Sequence, residues 1–154
     1  MKKFFLSLLI LSFTFIVSAD AANEKLLASK TQALAIGELS LAYRLVTLSM
    51  SLAAAKAVDP DYTDAILKEV ESTLKNGKQI QQLKNTTPDA MSKKIYDVTD
   101  LLLGCSRNVK IFSRSQTPAN MSSVKKCIDE SFQKIDELNN SFNLVNALNN
   151  SEAK

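Results

Sequence analysis

The chain predicts an all-α fold: an antiparallel up-down-up-down four-helix bundle with one disulfide between helices 3 and 4. Three observations lead there. The only prolines are Pro60, Pro88 and Pro118, at intervals of 28 and 30 residues. Each follows a residue whose side-chain oxygen can cap a helix, namely Asp59, Thr87 and Thr117. Proline suits the first helical position, where its missing N–H would have no partner and its φ is already set. Second, apolar residues recur at helical spacing after each proline, and no segment alternates as a strand would. Third, Cys105 and Cys127 lie symmetrically about the turn before Pro118.

The first segment stands outside this pattern. Met1-Lys2-Lys3 is basic, residues 4–17 are apolar with only Ser and Thr interrupting, and small residues surround Ala19 and Ala21. This three-part pattern predicts a secretory signal peptide over residues 1–22, cleaved between 19 and 22. The run is shorter than the roughly 20 apolar residues a spanning helix needs, so no stable membrane span is expected after cleavage. The expected location is secreted or periplasmic. Residues 23–154 then form a single domain large enough for one core. Its charge is close to neutral. Nucleic-acid binding, which needs a dense basic face, is not expected.

Helix 1 is expected over 23–58 and alone lacks a proline start, because export processing sets its beginning. Its only charges from 26 to 57 are Lys30, Glu38, Arg44 and Lys56, and residues 45–55 carry none. A helix packed on one side of a bundle normally shows a charged outer face. Here Ser, Thr and Ala stand in its place. The plain reading is an exposed Ala/Ser surface. The functional reading is a second buried face that meets another protein or a second copy of the chain as a homodimer. Leu48, Met50 and Leu52 are its expected anchors, with Tyr43 and Arg44 at the edge.

Helix 2 follows Asp59 and fades near Asn85, with a stripe of Ile66, Val70, Leu74, Gly77, Ile80 and Leu83. Gly77 weakens its middle by up to about 1 kcal/mol relative to Ala. Helix 3 follows Thr87 and ends near Arg114. Met91, Ile95, Val98, Leu102, Cys105, Val109 and Phe112 alternate steps of four and three, a sustained heptad seam. Arg107, Lys110 and Arg114 share one face near its end. They form a candidate anion-binding site, or simply oppose the helix dipole. Helix 4 follows Thr117 with Met121, Val124, Ile128, Ile135, Leu138, Phe142 and Val145. Ser131 interrupts that seam, and Phe132 is expected to compensate. The Asn-rich end from Asn139 is expected to fray. Long helices joined by short turns must lie antiparallel to their neighbours.

Cys105 lies nine residues before Arg114 and Cys127 nine after Pro118. At 1.5 Å rise per residue both sit about 13 Å from the turn, facing each other across a hairpin. An exported chain with two cysteines oxidises them, so a disulfide is expected, worth roughly 3 kcal/mol. A redox role would need a neighbouring His or a Cys-x-x-Cys pair, and neither occurs.

The chain has no histidine. Haem with an axial His, Glu-x-x-His di-iron sites, the usual His/Cys zinc sites and His-dependent nucleophilic catalysis are therefore excluded. The acidic pairs Asp129-Glu130 and Asp136-Glu137, with Lys134 between them, read as solvated helix faces, as do Glu69 and Glu71. Gly37, Gly77 and Gly104 are isolated and form no phosphate loop. No catalytic residue, metal or cofactor is expected. Asn85, Asn120, Asn139 and Asn149 head triplets of the glycosylation pattern, which matter only in a eukaryotic source.

Together these features point to an exported non-enzymatic binding protein: an inhibitor, an adaptor or a chaperone-like envelope factor. The alternative is a carrier or sensor holding a small apolar or anionic ligand in a bundle cavity lined by Met50, Met91 or Phe112.

Overall fold

The computed structural model describes the backbone of residues 21–84 and 89–152, and side chains over 28–79 and 89–143. Nearly all of the expected signal peptide, together with Thr87 and Pro88, lies outside the described residues. Four helices follow in order: α1 (Ala21–Ala54), α2 (Pro60–Lys84), α3 (Ala90–Arg114) and α4 (Pro118–Glu152). The described residues contain no strand. The fold is the antiparallel four-helix bundle that the sequence predicts.

Two proline marks act as expected. Pro60 and Pro118 each open a helix. Asp59 Oδ1 accepts the Asp61 N–H at 2.7 Å, and Thr117 Oγ1 accepts the Asn120 N–H at 3.2 Å. The third start shifts. Asp89, not Thr87, caps α3, and its Oδ1 accepts the Ser92 N–H at 2.6 Å. Aspartate outranks threonine as an N-cap, so the helix begins at the better acceptor. Gln32 of α1 donates to the other carboxylate oxygen at 2.9 Å, tying the start of α3 to α1. Burial alone would raise the Asp89 carboxyl, but the bonds from Ser92 and Gln32 outweigh it and hold the group below its usual range.

A prediction follows for the cap. Asp89→Ala should cost about 1 kcal/mol in urea denaturation at neutral pH. A carboxyl depressed in the folded state contributes its stability above the unfolded pKa of roughly 3.9 and loses it as pH falls towards the folded value. Wild type should therefore lose more stability than Asp89→Ala between neutral pH and the acid side of that window. Equal acid losses in the two proteins would refute the assignment.

α1 stops at Ala54, four residues before the expected end. Lys56 takes a left-handed backbone with φ 52°. Its N–H bonds to the Ala53 carbonyl and that of Ala57 to the Leu52 carbonyl, both at 3.0 Å, closing a Schellman motif. Gln116, in the α3–α4 turn, donates a further bond to Ala53 O at 2.7 Å. The tip of one hairpin thus helps to cap the helix of another. No glycine marks this stop, so it leaves no trace in the sequence.

The helices are not equivalent in packing. α1 and α3 each touch all three others, whereas among the described residues α2 and α4 do not approach each other. The cross-section is a rhombus whose short diagonal is the α1–α3 contact. The core lies along that diagonal, with Ile36, Leu39 and Val46 of α1 set against Val98, Leu102, Val109 and Phe112 of α3, all buried. Leu67 and Leu74 close it from α2, and Val124 and Leu138 from α4. In α2 the buried stripe runs through Thr63 and Leu67, leaving Ile66 only half-buried.

The expected seam break in α4 resolves differently. Ser131 is fully buried, while Phe132 is 58% exposed and fills no gap in the seam. Cys105 and Cys127 form the predicted disulfide between α3 and α4, with a Cα–Cα distance of 5.6 Å. The Ser131 hydroxyl lies 3.2 Å from Cys105 Sγ. A disulfide sulfur has no proton, so the serine donates. The bridge occupies the space that a larger residue would take, and a small donor fits beside it.

Candidate binding surface

The outward side of α1 carries an apolar stripe. Leu34, Leu41 and Leu48 are 66%, 58% and 54% exposed. Their spacing of seven puts them in a row along one face of the helix. Leu45 and Leu52 are half-buried at its border, and Arg44 is exposed beside it. α1 and α2 pack with a defined antiparallel register. It sets Glu38 against Gly77, where Glu38 Oε2 lies 3.2 Å from the position a Cβ would occupy. The same antiparallel register brings Tyr62 of α2, itself largely exposed, level with the end of α1 near Leu52. Gly77, which costs helix stability, leaves room for that carboxylate. Burial pushes the Glu38 carboxyl above its usual range. Among the described residues Glu38 has no cationic partner and Arg44 no anionic one.

The five residues expected at this surface divide. Arg44, Leu48 and Leu52 reach the outer face. Tyr43 and Met50 instead pack against the core, and the Tyr43 ring meets Phe132 of α4 at 6.1 Å between centroids and 42° between planes. A helix turns 100° per residue, so Met50 and Leu48, two apart, point to well-separated directions. Sequence reasoning missed Leu34 and Leu41. The uncharged run 45–55 drew attention to the C-terminal half, whereas the seven-residue interval was the signal that would have found the whole stripe.

The basic trio of α3 also divides. Lys110 pairs with Glu71 of α2 at 2.9 Å, and Ser106 donates to the same carboxylate oxygen at 2.7 Å. Arg114 bonds to Asp64 and pairs with Asp61 at 3.4 Å. Lys78 and Asp100 close the far end of this ladder at 2.6 Å. Only Arg107 is left exposed without an ion pair among the described residues. Burial would raise the Glu71 carboxyl, but hydrogen bonds from Lys110 and Ser106 and the charges of Lys110 and Lys75 take it below its usual range. The trio thus mainly seals α3 onto α2. Such partly exposed pairs contribute up to about 1 kcal/mol each.

Two open hollows mark the surface. One runs along α4 past Lys125, Asp129 and Gln133, and the other sits at the bundle end between Val58, Pro60 and Ser113. Neither is lined by Met50, Met91 or Phe112. Among the described residues no group of three or more Cys, Asp or Glu side chains is placed to hold a metal ion. Residues 28–54 are long and apolar enough, by length and composition, to cross a membrane, and one third of the most apolar window is buried inside the bundle. No known protein family matches the chain, and no curated protein or solved structure matches it either.

Proposed function

We propose that this protein is an exported binding module with no chemistry of its own, and that it docks onto another polypeptide through the outer face of α1. The exposed Leu34–Leu41–Leu48 stripe carries the reading. Scattered surface leucines need no explanation, but an aligned row beside half-buried Leu45 and Leu52 supports the reading of an interaction surface. The basic-then-apolar N-terminus and the disulfide are compatible with export and support the reading of a secreted or periplasmic protein.

A photo-cross-linking residue at Leu48, compared with one at exposed Lys125 of α4, tests the reading in the producing cells. The expected result is a protein adduct at 48, identified by mass spectrometry, and none at 125. Absence of a protein adduct at 48, or the same adducts at both positions, would overturn it. N-terminal sequencing of the cell-exterior or periplasmic fraction checks the export half. A chain that still starts at Met1 would refute cleavage.

A further inference from the structure

We infer that the occupant of the α1 face is a second copy of this chain, paired antiparallel about a two-fold axis at Leu41. The inference rests on the docking surface proposed above and names its occupant. Leu34 and Leu48 lie seven residues to either side of Leu41. Antiparallel pairing about Leu41 therefore sets Leu34 of each copy against Leu48 of the other, with the two Leu41 side chains meeting at the axis. A closed two-fold interface requires such self-complementarity.

The charges obey the same symmetry. Between Lys30 and Lys56 the only charged residues are Glu38 and Arg44. They stand three residues to either side of Leu41 and have opposite signs. The pairing brings Glu38 of one copy into the layer of Arg44 of the other, twice. Parallel pairing would instead place Glu38 level with Glu38 and Arg44 level with Arg44, juxtaposing like charges. Gly37 shares a layer with the opposing Leu45, one residue from the layer of Arg44. Nothing lies within 4 Å of where its Cβ would be, so a guanidinium can cross it towards Glu38. Among the described residues neither charge has an ion-pair partner, and a partly desolvated carboxylate gains most from an incoming guanidinium.

Sedimentation of the purified, oxidised protein tests the inference, with circular dichroism confirming that each variant is folded. Wild type should sediment as a dimer. Leu41→Glu sets two carboxylates at the axis and should weaken dimerisation at least tenfold. Glu38→Arg alone should do the same, and the double variant Glu38→Arg/Arg44→Glu should recover dimerisation to within about threefold of wild type, because the swap restores opposite signs. Geometry has its own readout. Leu41→Cys should cross-link copies on mild oxidation. Leu34→Cys should not, because two Leu34 positions would lie about 21 Å apart along the pair, beyond disulfide reach.

A monomeric wild type, a double swap without recovery, or equal cross-linking at 34 and 41 would each overturn the inference. A monomer that still forms a Leu48 adduct with a different protein overturns self-pairing and leaves the docking reading standing. A monomer without any adduct sinks both.

Discussion

Phe112→Ala is expected to destabilise the bundle by about 3–5 kcal/mol, the largest single effect anticipated in this protein. Phe112 is 1% exposed and is the last member of the α3 heptad seam. It is the largest of the fully buried side chains, on one of the two helices that touch all three others. Truncation removes apolar surface from the centre and leaves a cavity that several rigid elements would have to move together to close. For a domain of this size the cost corresponds to a midpoint lowered by roughly 10–20 °C. Ile111 supplies an internal control. It is the neighbouring residue, similarly apolar, yet largely exposed. Ile111→Ala should change stability by no more than about 0.5 kcal/mol. Urea denaturation of the two variants with unchanged slope would bear out the contrast. Comparable losses at 111 and 112 would show that α3 is rotated relative to the described packing.

Removing the disulfide should come next in size. The bridge closes a segment of 22 residues, and the chain-entropy relation gives about 3 kcal/mol for such a loop, or a midpoint lower by roughly 10 °C. Cys105→Ala/Cys127→Ala should also expose the role of Ser131. Its buried hydroxyl donates to the bridge, and losing that acceptor leaves it unsatisfied at a cost of about 1–3 kcal/mol. Ser131→Ala should then recover part of the loss in the cysteine-free background, while giving no stabilisation in the oxidised wild type. A double-mutant cycle measures this coupling directly. Additive effects of the two changes would detach Ser131 from the bridge.

The sequence conveyed the topology because its cues are local. Capped prolines, the three-four rhythm of α3 and the symmetric cysteines each act within one or two helix turns of themselves or about one short turn. What it concealed depends on distant neighbours. The Asp89 cap is reinforced by Gln32, 57 residues away. The α2–α3 charge ladder joins residues such as Glu71 and Lys110 that no local pattern connects. Gly77 reads as a weak point until Glu38 is seen beside it. Phe132 looked like core because Ser131 looked like a defect, and only the disulfide packed against Ser131 reverses the two. At the candidate surface the lack of charge on helix 1 was legible. The direction of each residue was not, because a long weakly polar helix offers several faces of similar character until its neighbours choose which to cover.

The rhombic cross-section has a consequence for how the molecule tolerates change. Since α2 and α4 make no contact among the described residues, the bundle is in effect two triangular prisms sharing one wall, the α1–α3 pair. Each outer helix answers to that wall alone. One prism is stitched by a covalent bridge and the other by a row of charges, so the two halves rely on different chemistries. Reduction removes the covalent tie of the α4 side alone, and salt screens the ion pairs of the α2 side. A chain organised this way can remodel one flank over evolutionary time without renegotiating the opposite one.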